Sequence, residues 1–253
     1  MSASEQVSNR VALVTGASYG IGAASALTLA RDGYDIALAD LREDMLADTA
    51  AKITAIGRRV ALLTLDLRQQ SSVEAAAAKA ITSLGRLDVL VNNAGVPQRK
   101  PALDVTRDEW ALVMDVNLAG TFFMTQAVAR GWIVAGKPGS VVSVASTHGL
   151  VGLAQSTTYG VSKAGISHMT RMLAIEWAEH GIRVNAIAPA STETPTRTGL
   201  SDPNKRDTFL SRIPLHRFGT PQDMAEGIAY LAGDKAGFIT GQTLVIDGGL
   251  TSQ

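Results

Sequence analysis

Short apolar, β-branched runs alternate with longer alanine-rich stretches along almost the whole chain. The runs at 10–15 (RVALVT), 35–40 (DIALAD), 59–65 (RVALLTL), 88–92 (DVLVN), 140–145 (SVVSVA), 183–188 (RVNAIA) and 243–247 (TLVID) predict strands. Apolar runs without polar alternation suit strands covered on both faces, as in a parallel sheet. Between them, helical periodicity and composition predict helices at 22–32, 44–56, 73–84, 107–135, 157–180 and 222–232. Strand–helix alternation of this kind argues for an α/β fold, a doubly wound parallel sheet in three layers. Residues 1–9 read as a polar tail and 10–253 as a single domain, undivided by any proline- or serine-rich linker. One irregular stretch, about 189–214, is long enough to be a substrate loop or lid.

Composition narrows the function classes. Lys plus Arg and Asp plus Glu both number 23, so no net field favours nucleic acid or an anionic membrane. There is no reader motif for nucleic acid either. The chain has no cysteine, which removes disulfides and thiolate chemistry. Its four histidines (His148, His168, His180, His216) form no metal-ligand motif, and no metal is expected. MSASEQVSN lacks a basic n-region, and no run of about 18 apolar residues occurs, so the expectation is a cytoplasmic protein without a membrane span.

Candidate chemistry begins after the first strand, at Thr15-Gly16-Ala17-Ser18-Tyr19-Gly20-Ile21-Gly22. Glycines at a strand-to-helix junction let backbone approach a pyrophosphate, and the following helix N-terminus offers free N–H groups. The spacing is G-x-x-x-G-x-G, one residue wider than the commoner G-x-G-x-x-G. Asp40 closes the second strand, where a carboxylate can accept both ribose hydroxyls and repel a 2′-phosphate. Tyr19 is not basic, and Arg42 is the only nearby cation, so NAD is expected over NADP. Asp66-Leu67 and Asn92-Asn93-Ala94-Gly95 follow the third and fourth strands, at the carboxyl edge where adenosine would lie.

Tyr159 and Lys163, in YGVSK, stand four residues apart and share one helical face. A free phenol, with a pKa near 10, is a poor base at neutral pH, and a nearby ammonium favours its anion. TGASYGIG, NNAG, Ser146 thirteen residues before Tyr159, YGVSK and a final Thr240-Gly241-Gln242…Asp247-Gly248-Gly249 occur in this order. Together they make the chain, from about Arg10 to Gly249, resemble the short-chain dehydrogenase/reductase family in its compact Rossmann-type form.

The resemblance implies that Tyr159 is the general base or acid and that Lys163 eases its ionisation and binds the nicotinamide ribose. It implies that Ser146, with Ser143 as rival, holds the substrate oxygen, and that Asn117 kinks its helix and binds a relay water. The dinucleotide would lie along Gly16, Ser18, Tyr19, Gly20, Ile21, Gly22, Asp40, Asp66, Leu67, Asn93, Ala94 and Gly95. Pro189, Thr192 and Thr194 would meet the nicotinamide, although Ala190 stands where the family usually has glycine.

Flanking positions His148, Gln155 and Arg197, with Gln98, Arg99, Lys100 and His216 nearby, are more polar than a steroid or fatty-acyl pocket needs. The expected substrate is therefore an alcohol or ketone of a sugar, polyol or sugar acid. The alternatives are an NADPH-dependent 3-ketoacyl-type reductase and a non-catalytic nucleotide-sensing module. His168, Met169, Met172 and Trp177 suit packing. Relatives in the family imply a homotetramer built on the two long helices and the apolar 241–250 stretch.

Overall fold

A computed structural model describes residues 10–194 and 203–252. Seven strands, β1 (Val11–Thr15), β2 (Asp35–Asp40), β3 (Val60–Thr64), β4 (Val89–Asn92), β5 (Gly139–Val144), β6 (Ile182–Pro189) and β7 (Thr243–Ile246), form one sheet in the order β3-β2-β1-β4-β5-β6-β7. Every pairing is parallel. The strand order reverses between β1 and β4, and this switch point opens a crevice at the strands' carboxyl ends.

Helices cover both faces: α1 (Gly20–Arg31), α2 (Ala47–Ala55), α3 (Gln70–Leu84), α4 (Arg107–Met114), α5 (Thr121–Val134), α6 (Thr157–Glu176), α7 (Pro203–Leu210) and α8 (Pro221–Ala232). The apolar runs fill two cores by simple alternation. Val11 and Leu13 of β1 join Leu63, Leu90, Val128, Trp132 and Leu173 on the α3/α5/α6 face. Ala12 and Val14 join Leu29, Ile36, Ile53, Val142 and Ile228 on the α1/α2/α8 face. Two-sided burial explains why these strands carry no polar alternation.

Two helix starts are legible as chemistry. Thr106 and Glu109 form a capping box at α4, and Thr220 with Asp223 forms another at α8, where Pro221 opens the helix. The helix expected over 107–135 is continuous, but its middle, Asp115–Gly120, is a π-helical turn. A Cβ on Gly120 would lie 2.6 Å from Leu67 Cβ, so the helix passes hard against the loop after β3. Arg107–Val134 has the length and composition of a membrane span. Its buried residues Val113, Met124, Val128 and Trp132, however, pack into the protein. The expected loop at 189–214 contains α7, whose sequence PNKRDTFL has no apolar stripe to announce it.

Candidate active site

The loop after β1 turns on Gly16 and Gly20, both with positive φ (63° and 61°). The chain comes so close to its neighbours that a Cβ on Gly16 would lie 2.8 Å from Ala94 Cα. One on Gly22 would lie 2.1 Å from the Gly16 carbonyl oxygen. Gly22 therefore supports the loop without lining the cavity beside it. Asn93 fixes the same loop, donating from Nδ2 to the carbonyls of Thr15 (3.1 Å) and Gly16 (2.9 Å). Thr15 Oγ1 accepts from the backbone of Asn93 and Ala94, each at 3.1 Å. Tyr19, the N-cap of α1, makes no side-chain capping bond, so no capping side chain occupies the first-turn N–H groups.

These elements wall a cavity of about 1010 Å³ at the carboxyl edge of the sheet. Gly16, Ser18, Tyr19, Gly20 and Ile21 line one end, with Asp40, Asp66, Leu67, Asn93, Ala94 and Gly95. Asp40 accepts from Ser18 through both N (3.2 Å) and Oγ (2.7 Å), and from the Leu41 N–H (2.8 Å). Arg42 is turned to Asp44 on the surface and does not line the cavity. Arg68 does line it, but pairs with Asp66 at 2.7 Å and holds that carboxyl below its ordinary pKa.

At the other end Ser146, Tyr159, Lys163, Pro189, Thr192 and Thr194 share the wall. Lys163 is 4% exposed; its Nζ donates to the Val144 carbonyl at 2.7 Å and lies 5.6 Å from the centre of the Tyr159 ring. Burial lowers its pKa to about 8, so the side chain remains mostly protonated at neutral pH. Ser143 is occupied within the sheet, accepting from Asn92 at 3.3 Å, whereas Ser146 reaches the cavity.

Fully buried Asn117 sits in the π-turn. Its Oδ1 accepts from the Val96 N–H (2.8 Å), and its Nδ2 donates to Val96 O (3.0 Å) and Ser162 Oγ (3.2 Å). Ser162 donates onward to Tyr159 O at 2.7 Å, binding the π-turn to the helix that carries YGVSK.

Two glycines lock the rest. A Cβ on Gly149 would lie 2.7 Å from the Lys163 carbonyl carbon, and one on Gly160 would lie 2.9 Å from His148 O. The short turn Thr147–Gly149 can thus press onto α6, carrying Ser146 and His148 to Tyr159. His148 meets the Tyr159 ring edge-on with centroids 5.8 Å apart, and its Nδ1 is 3.2 Å from Ser156 Oγ.

Some expected site residues fall elsewhere. Gln155 is exposed and lines no part of the cavity. Its φ of 64° makes it a turn residue, and its carbonyl accepts from Lys100 N at 2.8 Å. Lys100 pairs with Glu109 at 2.8 Å, and His216 is likewise a positive-φ turn residue (49°). Arg197 lies outside the described residues. Met45, Leu112, Val116, Leu153 and Phe209 line the cavity without having been singled out from the sequence. Apolar residues on helices and loops read as packing, and no motif separates wall from core.

The family model described as enoyl-(acyl carrier protein) reductase matches residues 16–251. The chain belongs to the short-chain dehydrogenase/reductase family. It is 38% identical over 241 residues to 2-dehydro-3-deoxy-D-gluconate 5-dehydrogenase of Escherichia coli K12, covering 95% of this chain and 94% of that one. Over 245 residues it is 37% identical to the 3-oxoacyl-(acyl-carrier-protein) reductase FabG of Thermotoga maritima, covering 97% and 99%. A solved structure from Agrobacterium tumefaciens, described as a candidate 2-deoxy-D-gluconate 3-dehydrogenase with NADP bound, superposes with a TM-score of 0.90. That pair is 35% identical, with 98% of each chain covered. As a member of this short-chain family, the protein is an oxidoreductase acting on CH–OH groups.

Proposed function

We propose that the protein interconverts a secondary alcohol and a ketone on a polar small molecule, a sugar, polyol or sugar acid, with NAD(H) as partner. The observation that carries this is the meeting of Ser146, Tyr159 and a buried Lys163 on one wall of a cavity whose other end is the glycine loop. The positive-φ glycines, and the cradle a Cβ would fill, fit a dinucleotide pyrophosphate. A nicotinamide dinucleotide held there would supply the acceptor or donor of the hydride.

The chain's own residues handle the proton. Tyr159 takes it from the substrate hydroxyl, and Ser146 Oγ hydrogen-bonds the substrate oxygen and fixes its place. The buried Lys163 ammonium, 5.6 Å from the centre of the Tyr159 ring, favours the phenolate over the phenol. Both Nδ2 donors of Asn117 are taken by Val96 and Ser162, so a water relay at this position would use backbone carbonyls of the widened turn. Lining residues Gln98, Arg99, His148 and Ser191 suit a hydroxylated substrate, as do the names of the gluconate-type relatives.

NAD is favoured because Asp40 presents a carboxylate where a 2′-phosphate would lie, while Arg42 and Arg68 are paired with Asp44 and Asp66. Initial rates on a panel of sugars, polyols and hydroxy acids with each dinucleotide test both parts. We expect NAD to be preferred by at least about tenfold, and Asp40→Ala to narrow that margin. A strong NADP preference in the parent protein would overturn the cofactor assignment.

A homotetramer is part of this reading. Met172 and Ile175 on α6 are 56% and 79% exposed, and Phe238 near β7 is fully exposed, apolar faces that a partner copy would cover. Light scattering on the eluting peak should give four times the 26.5 kDa chain mass, and a monomer would contradict it.

A further inference from the structure

A side cavity of about 210 Å³ adjoins the substrate end of the main one, and Thr147, Leu153 and Phe209 are among the residues that line both. Leu250, Thr251, Ile213 and Val151 line the side cavity and not the main one, so they belong to its far wall.

That wall is built by Asp247-Gly248-Gly249, a motif with no part in the proton transfer. The Asp247 carboxylate accepts from Gly249 N (2.8 Å), Thr251 N (2.8 Å) and Thr251 Oγ1 (2.7 Å), which coils residues 247–251 into one turn. Gly248 and Gly249 both have positive φ (64° and 90°). A Cβ on the first would lie 2.8 Å from Ile213 Cγ2, and one on the second 2.9 Å from Pro214 Cγ. Bare backbone thus lets this turn press onto the segment after α7, where Leu215 N donates to the Gly248 carbonyl at 3.1 Å. The contact buries Ile213, which is 3% exposed, and the next residue of the turn, Leu250, reaches the cavity.

The chemistry of the far wall is mainly that of a hydrocarbon. Leu250, Ile213 and Val151 are apolar, and Thr251 spends its hydroxyl proton on Asp247. Arg212 also lines the cavity, but it is exposed and already has a partner. An ionised group placed here would be desolvated against apolar side chains, whereas an uncharged carbon arm gains by burial.

We propose that the side cavity seats an uncharged alkyl or hydroxyalkyl arm of the substrate, and that Leu250 sets how long that arm can be. At about 30 Å³ per water-sized group, the space admits an arm of about four to seven non-hydrogen atoms. The proposal rests on the oxidoreductase reading above and deepens it. The reacting carbon stays at Tyr159, and Leu250 selects among substrates by chain length.

The test uses 1,2-alkanediols of three to eight carbons, which share one reacting end and differ in the arm alone. Calorimetric titration into NADH-saturated protein, where no oxidation can occur, ranks their affinities. In the parent, affinity should rise about three- to fourfold with each added carbon, then fall once the arm meets Leu250. Leu250→Phe should move the best length down by about one to two carbons, and Leu250→Ala should move it up by about as much. Leu250→Met, of similar volume, should keep the parent's optimum, which separates the size of the wall from the folding of the turn. Should Leu250→Phe not fold, the shift in Leu250→Ala decides alone. A flat profile in the parent, an unmoved optimum, a uniform loss across the series or no binding would each overturn the seat. If the diols bind with the expected optimum but no sugar, polyol or hydroxy acid is oxidised, the substrate reading above fails and the arm seat stands.

Discussion

Tyr159→Phe is expected to lower kcat for alcohol oxidation about 10³-fold, within the range that positioned general acid–base groups contribute. Dinucleotide affinity should be nearly unchanged. The substitution is clean because the ring's own contacts survive it: the edge-on His148 and the Lys163 ammonium 5.6 Å from its centre both address the ring. Only the phenol oxygen, the proposed site of proton exchange, is removed. Steady-state rates give the loss, and quenching of protein fluorescence by the dinucleotide gives the affinity. If the variant kept more than about a tenth of the parent rate, the base would have to be sought among His148 and Lys163. If it lost affinity and rate together, the tyrosine would be a structural support of the cavity.

Much of this site can be read directly from the sequence, because close backbone approach leaves a residue-level trace. Gly16, Gly22, Gly149 and Gly160 each stand where a Cβ would strike backbone. Three of them lie in or beside motifs that can be quoted from the chain. The strands are legible for a related reason: burial on both faces removes polar residues from the runs altogether. Other features leave no such trace. The π-turn at Asp115–Gly120 carries Asn117, whose Oδ1 accepts from the Val96 N–H, a contact between residues twenty-one apart that no local pattern announces. Helix α7 has a polar sequence and reads as loop, yet it places Phe209 in the cavity wall. Gln155 looked like a substrate contact because of its distance from Tyr159 along the chain. Its backbone conformation shows that a turn needed the position instead. Substrate-facing residues come from loops that share no periodicity, so spacing alone cannot rank them.

Lys163→Met is expected to separate the cost of this site from its use. The ammonium is buried, and its pKa falls from 10.5 to about 8 because burial disfavours the charged form. Below about pH 8 the lysine is charged in both folded and unfolded chains, so the folded state bears the full cost. Between about pH 8 and 10.5 the folded protein releases a proton that the unfolded chain still holds. Stability from this group therefore rises across that window, by up to about 3 kcal/mol, and levels off above it. Urea unfolding with and without Lys163→Met, both in a Tyr159→Phe background so that the phenol does not titrate, at pH 7 and pH 10, isolates the effect. The form that keeps Lys163 should gain on the methionine form as pH rises; a difference that stays flat would mean that the ammonium is not desolvated. In Lys163→Met alone, oxidation should slow by about 10²-fold and the apparent pKa governing its rate should move up, because the positive charge beside the phenol is gone. A residue that burdens the fold near neutral pH and whose removal also disables proton transfer is retained for chemistry rather than packing, the trade expected of a working active site.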